Sequence, residues 1–142
     1  MAKRVVVTST LTEEMISAGA RLLEHLDKAG LSVQAAMWQR QPESETWRLM
    51  LALPGLKSRG PLQSYHRILE VQSTLPYDEL TVDVEDISVI DDQEPLIEAL
   101  KKANRIHPIS QSRQPRMVVS GIYLEESYIY RLSEPSTIAA ES

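Results

Sequence analysis

Hydrophobic and polar positions alternate most clearly along residues 31–54. Two runs with a period of two residues flank the polar segment 41–45, and this pattern predicts a strand, a loop and a second strand. The second run places Leu49, Leu51 and Leu53 on one face. An isolated hairpin is marginal in water, so we expect flanking helices to cover this leucine face.

A helix is predicted before this hairpin, over about residues 11–28. Its apolar residues recur at helical spacing, and Thr10 with Glu13 forms the pattern of a capping box at its start. Gly30 follows the helix as the predicted C-terminal cap.

Two further helices are predicted after the hairpin. One begins with Pro61 in its first turn and ends before Pro76, and the other has Asp92 as its cap and Pro95 in its first turn. Between them, residues 80–90 alternate like a strand but shift phase once, which predicts either a bulge or a strand followed by a short loop.

The C-terminal part predicts a second hairpin, formed by residues 117–124 and 128–132. As domains we expect an N-terminal arm or short strand over residues 1–10, a single domain over residues 11–132, and a disordered tail over residues 133–142.

The order of these elements predicts an α+β fold. The element order (β)αββαβ matches the connectivity of a ferredoxin-like sandwich, with a helix and the C-terminal β-hairpin appended. Connectivity of this kind carries no function with it.

Composition narrows the possible environments and chemistries. Cysteine is absent, which excludes disulfides, thiolate metal sites and cysteine catalysis. No apolar run approaches the roughly 20 residues of a membrane span, so we expect a soluble, cytoplasmic protein without membrane contact. The net charge of −5 argues against broad nucleic-acid affinity.

Charge is strongly segregated along the chain. Residues 68–100 contain ten acidic residues and no Lys or Arg, whereas residues 99–124 contain five basic residues and no acid. Such blocks are usually solvated faces that neutralise one another within the fold. The alternative is a bipolar surface that binds a partner of opposite pattern or a second copy of the chain.

The acidic segment 83–92 suggests a metal-dependent hydrolase or nuclease as one alternative function. Asp83, Glu85 and Asp86 could offer oxygen ligands to a divalent cation, with His107 as a further catalytic candidate. No Lys accompanies these acids on the predicted strand, and helix caps or strand ends explain the same residues. A second alternative is nucleic-acid contact through the basic segment 101–116.

Signatures of catalysis are absent from the sequence. There is no G-x-S-x-G, no phosphate-binding glycine loop and no helical His pair for a metal. Residues 119–121 are interpreted as the interior of a strand rather than as part of a catalytic turn. The sequence therefore does not favour an enzyme, and no cofactor is expected.

Tyrosine and arginine cluster near the C-terminus, and Phe is absent from the whole chain. One interpretation is that these residues cover the edge of the core. The other is a binding surface, because Tyr and Arg dominate interaction hot spots. The candidate binding residues are Arg113, Arg116, Tyr123, Tyr128, Tyr130 and Arg131. From these six residues we predict that the protein is an interaction module, which binds another protein or forms a homodimer.

Three phrases of the sequence resemble a group of other proteins. They are TWRLMLALP with the later Gly60-Pro61 and Tyr65, ISVID before EPLIEAL, and GIYLEESYIYRLS. Together they are similar to small uncharacterised prokaryotic proteins with no assigned function. The resemblance implies a prokaryotic origin and no activity or cofactor.

Overall fold

The computed structural model describes residues 2–106 and 113–132. The four helices among these residues are α1 (Glu13–Lys28), α2 (Leu56–Arg59), α3 (Leu62–Ser73) and α4 (Pro95–Ile106). The nine strands among them are β1 (Lys3–Arg4), β2 (Ala35–Gln41), β3 (Thr46–Leu53), β4 (Leu80–Thr81), β5 (Ile87–Asp91), β6 (Arg113–Gln114), β7 (Met117–Val119), β8 (Ile122–Leu124) and β9 (Ser127–Leu132).

The predicted first hairpin is confirmed and forms the centre of the main sheet. Five strands lie in the order β5-β3-β2-β9-β6. β3 and β5 are parallel and are connected through α3, whereas the other neighbours are antiparallel. Trp38 of β2 lies opposite Leu49 of β3, and Ala36 lies opposite Leu51. These pairs extend one apolar face across the sheet.

Helices cover both faces of the main sheet. On the first face, α1 and α3 pack against apolar residues of three strands, namely Trp38, Leu49, Leu51, Ile87 and Val89. On the second face, α4 and the β7–β8 hairpin pack against Met37, Ala52 and Ile129. The period-two alternation therefore produces two cores, one on each side of the central strands.

The chain is an α+β protein, but the ferredoxin-like strand order is not confirmed. That fold inserts its first strand between the two strands that flank the second helix, whereas here β3 and β5 are direct parallel neighbours. β1 instead pairs with β4 in a separate two-stranded sheet. β1 is thus a two-residue strand within residues 1–10, and it lies outside the main sheet.

The helix predictions hold with small changes at their ends. α1 begins two residues later than expected because Thr12, not Thr10, caps it, with Thr12 Oγ1 accepting a hydrogen bond of 3.2 Å from the Met15 amide. The phase shift at residues 80–90 is a 3₁₀ turn, Val84–Asp86, between β4 and β5. The segment 55–60, which lies between the first hairpin and the helix that begins near Pro61, contains the four-residue helix α2.

The predicted second hairpin is wrong in its pairing. β7 and β8 form a tight hairpin with each other, and β9 leaves it to pair with β2. Ser120 and Gly121, expected inside a strand, both have positive φ angles (51° and 79°) and form the turn. The prediction of a disordered tail concerns residues 133–142, which lie outside the described residues.

Candidate functional site

The outer face of the β7–β8 hairpin carries two exposed apolar side chains that lie opposite each other. Val118 and Tyr123 form a cross-strand pair, and they are 63% and 49% exposed. The alternate residues of the hairpin, including Val119 and Ile122, pack inward against the core beside α4. The hairpin is thus anchored by one face and presents the other to solvent.

Opposite charges flank this exposed pair. Arg116 donates a hydrogen bond to the Tyr123 hydroxyl, and its guanidinium lies 5.4 Å from the centroid of the Tyr123 ring. Arg116 Nε also lies 3.9 Å from Glu125 Oε1. The hydrogen bond with Tyr123 raises the pKa of Arg116 above its usual value. We call Arg116, Val118, Tyr123 and Glu125 the hairpin patch.

Tyr130, another predicted binding residue, is a structural residue instead. Its hydroxyl donates to the Ile16 carbonyl at 2.5 Å and accepts a hydrogen bond of 2.9 Å from Trp38 Nε1. Burial is the largest contribution to raising the pKa of Tyr130 well above its ordinary value. Its hydroxyl is therefore fixed between β2 and α1 and is not an interface anchor.

Arg131 is also held within the fold, because it pairs with Asp27 of α1. Its two terminal nitrogens donate to the two Asp27 oxygens at 2.9 and 2.6 Å. A register shift in the β2–β9 pairing leaves Tyr130 as an extra residue, and both Tyr130 and Arg131 contact α1. The bulge thus turns two consecutive side chains toward the same helix.

The remaining two predicted residues form a separate contact on β6 and β9. The Arg113 guanidinium lies 5.6 Å from the Tyr128 ring centroid, and Tyr128 meets Tyr130 edge-on at 5.4 Å. Tyr128 and Tyr130 belong to the core on the α1 side, whereas the hairpin packs on the opposite side of the sheet. The six candidates therefore do not form one surface.

Of the three acidic residues proposed as metal ligands, Asp83 has a local structural role. Asp83 caps the 3₁₀ turn through a hydrogen bond of 2.9 Å from the Glu85 amide, and it pairs with Arg4 at 3.5 Å. Burial, and then the neighbouring Asp83, raise the pKa of Asp86. Within residues 2–106 and 113–132, no three His, Cys, Asp or Glu side chains are grouped to hold a metal. His107 lies outside those ranges.

The basic segment 101–116 does not present a uniform cationic surface in its described part. Lys101 is buried on α4. Lys102 donates to the Ser120 hydroxyl in the hairpin turn at 2.7 Å, and Arg113 and Arg116 stack on tyrosines. Within the acidic residues of the block 68–100, Glu79 contacts Arg21 and His25 of α1.

A basic cleft beside the carboxyl end of β3 was missed by the sequence analysis. It measures about 190 Å³, and its lining includes Ser32, Arg59, Ser64 and Arg67. The available signal was the segment Lys57-Ser58-Arg59-Gly60 followed by the start of a helix. This segment alone does not predict the cleft, because the approach of Arg67 and Ser32 depends on how α1 and α3 pack.

In the described part of the chain, none of the helices combines the length and apolar character required to cross a bilayer. No protein-family model matches this sequence, and the searches of curated proteins and of solved structures found no significant match.

Proposed function

We propose that this chain is a self-associating interaction module that forms a homodimer through the hairpin patch. The observation that carries the proposal is the exposed Val118–Tyr123 pair, flanked by Arg116 and Glu125 at one end of the same face. Tyrosine and arginine are the residue types that contribute most to interface energies.

The pattern of the hairpin patch is self-complementary. Consider a two-fold axis that runs parallel to β7 and β8, between two hairpins stacked face to face. This axis places Val118 of one copy over Tyr123 of the other, and Arg116 over Glu125. An isologous contact of this kind closes after two copies and does not propagate. It buries both apolar side chains while each charge meets its opposite.

The outer edge of β5 offers less support for self-association. Tyr65 Oη accepts a hydrogen bond of 3.0 Å from the Val89 amide and lies 3.4 Å from the Ile87 carbonyl oxygen. Arg48 also donates to that carbonyl at 3.0 Å. Side chains of the same chain thus occupy backbone groups that a second strand would need, which disfavours edge-to-edge pairing.

The expected dimer is weak, because the hairpin patch is small compared with the roughly 1,600 Å² of a standard interface. We expect a dissociation constant near or above about 10 µM. Light scattering and sedimentation velocity should show twice the 16.0 kDa chain mass as the concentration approaches about 1 mM.

Substitutions in the hairpin patch test the proposed geometry. Tyr123→Ser should shift the association to at least about tenfold higher concentration, since it removes the aromatic anchor. Tyr77→Ser is a matched control, because Tyr77 is 74% exposed and lies outside the patch. Arg116→Glu should weaken the dimer, and the double exchange Arg116→Glu with Glu125→Arg should restore it.

Two results would contradict the proposal. The first is a wild-type chain that stays monomeric throughout this concentration range. The second is a dimer that Tyr123→Ser leaves intact, which would place the contact elsewhere on the molecule.

A further inference from the structure

The basic cleft lies where the chain leaves the parallel part of the main sheet. β3 ends at Leu53, and the segment after it forms one wall of the cleft through α2 and the start of α3. The other wall is the turn after α1, at Gly30 and Ser32. The carboxyl ends of parallel strands are the usual location of ligand sites in α/β units, because loops and helix starts converge there.

Two arginines line the basic cleft, and both are held by backbone carbonyls rather than by acids. Arg59 Nη2 donates to the Pro54 carbonyl at 2.7 Å, and Arg67 Nη2 donates to the Ala29 carbonyl at 3.0 Å. Neither forms an ion pair with a described residue. Each guanidinium has five N–H donors, so most of its donors stay available to a ligand.

The charge of the basic cleft contrasts with the charge of the whole molecule. The chain carries a net charge of −5, yet none of the described residues that line the cleft is Asp or Glu. The hydroxyl-bearing residues Ser32 and Ser64 lie in the same lining. An anion in the cleft would therefore meet two positive charges and additional hydrogen-bond donors without a nearby carboxylate.

We propose that the basic cleft binds the phosphoryl group of a small phosphate monoester. A monoester carries nearly two negative charges at neutral pH, which matches two guanidiniums, whereas a carboxylate would neutralise only one. Arginine is also suited to this role, because its planar donors match phosphate oxygens in pairs.

The size of the basic cleft limits the ligand. Its volume of about 190 Å³ is below the roughly 300–1,000 Å³ of pockets that enclose drug-sized molecules. The phosphoryl group would thus lie in the cleft, and the organic part of the monoester would extend toward solvent past Gly60 and Gln63. A Cβ added at Gly60 would meet no atom within 4 Å, so this side of the cleft has room for the organic part.

Calorimetric titration with phenyl phosphate at low salt tests the proposal. We expect binding with a dissociation constant of about 1 mM or tighter, and a steep loss of affinity as salt is added. Arg59→Gln and Arg67→Gln should each weaken binding about tenfold or more, because each removes a charge-assisted contact. Lys57→Gln is the matched control, since it removes one positive charge from α2 at a side chain outside the cleft.

Titrations with inorganic phosphate and with acetate provide the comparison ligands. Tighter binding of phenyl phosphate than of either ion supports the monoester. Equal affinity for inorganic phosphate would overturn the monoester assignment, and equal affinity for acetate would overturn phosphoryl recognition. The site would be overturned if phenyl phosphate did not bind. It would also be overturned if both arginine variants bound phenyl phosphate as tightly as the wild type and had unchanged urea midpoints. None of these outcomes depends on self-association, because the hairpin patch involves different residues.

Discussion

Two tyrosine–arginine pairs in this protein have the same composition and opposite environments. Tyr130 and Arg131 lie on β9 and bond to α1. Tyr123 and Arg116 lie on the β7–β8 hairpin, contact each other, and are exposed. The two pairs contain the same residue types. Their different environments therefore follow from whether a helix packs on the face of the strand that carries them.

The difference arises from strand pairing. β9 enters the main sheet beside β2 and thereby lies under α1, which supplies the Ile16 carbonyl and the Asp27 carboxylate to its side chains. β7 and β8 pair only with each other in the part of the chain that the structure describes. Their inner face is used by the core, which leaves the outer face available for a second molecule.

Removing each tyrosine in turn should give the largest contrast between the two pairs. Tyr130→Ala should lower the free energy of unfolding by about 3 kcal/mol, because it removes buried ring area and leaves Trp38 with one fewer partner. Tyr123→Ala should change it by no more than about 0.5 kcal/mol, as is usual at an exposed site. Urea unfolding of the monomer measures both.

Self-association, measured as the increase in mass with protein concentration, provides the control for these variants. Tyr123→Ala should shift the concentration-dependent increase in mass to at least about tenfold higher concentration, whereas Tyr130→Phe should leave that increase unchanged. A destabilisation of similar size in both alanine variants would remove the distinction between a structural and an interacting tyrosine.

A substitution at Gly19 should sharpen the structural half of the comparison. Gly19 lies in α1 under Tyr130 and Trp38, and a Cβ added there would lie 2.8 Å from Trp38 Nε1. A helical Gly→Ala change ordinarily gains up to about 1 kcal/mol. Here we expect Gly19→Ala to lose about 1–2 kcal/mol in urea unfolding, because the added carbon overpacks the contact.

The exposed residue Ser17 provides the reference for Gly19, since it lies on the outer side of the same helix. Ser17→Ala should be neutral or slightly stabilising. If Gly19→Ala were as stabilising as an ordinary helical substitution, the close approach of Trp38 and Tyr130 to α1 would be contradicted.

The smallest expected effect concerns pH and the Arg131–Asp27 pair. The hydrogen bonds from Arg131 lower the pKa of Asp27 below its usual value. A carboxyl group with a lowered pKa stabilises the fold above the pKa of the unfolded chain, and this stabilisation is lost as the pH falls through the folded pKa. Because the Asp27 side chain is 40% exposed, solvent screening limits the effect to about 0.5–1 kcal/mol at pH 7.

Asp27→Asn tests this pH dependence. In urea unfolding the variant should be less stable than the wild type at pH 7, and the difference should shrink as the pH falls through the folded-state pKa of Asp27, below which the carboxyl group is protonated in both states. Glu24→Gln removes the exposed pair with Lys28 and should cost no more than about 0.5 kcal/mol. A difference between wild type and Asp27→Asn that is independent of pH would contradict a role for the ion pair.

Local features of the fold were predictable because their causes are local. The alternation around Trp47 and Leu49 predicted the first hairpin, and Pro61 and Pro95 located the starts of two helices within a residue or so. The second hairpin failed for an equally local reason. The dipeptide Ser120-Gly121 is a turn signal, and it was interpreted as strand interior because the apolar residues continue on both sides.

The candidate site was less predictable than the elements that form it. All six residues of the proposed tyrosine–arginine surface are close in sequence, yet the main sheet separates Tyr128 and Tyr130 from Tyr123. The contact between Arg131 and Asp27 spans 104 positions. A hydrophobic pattern indicates that a strand has an inner face, but it does not identify the strand or helix that will cover it.

The sequence by itself therefore determined where most of the longer helices and strands form and which of their faces are apolar, because these properties depend on neighbouring residues. Only the tertiary structure decided that β1 pairs with β4 outside the main sheet, that β9 lies beside β2, and that Arg59 and Arg67 line one cleft. Those outcomes depend on contacts between segments that are distant in sequence. Each segment could pair with several others at similar free energy, and only packing of the whole core selects one arrangement.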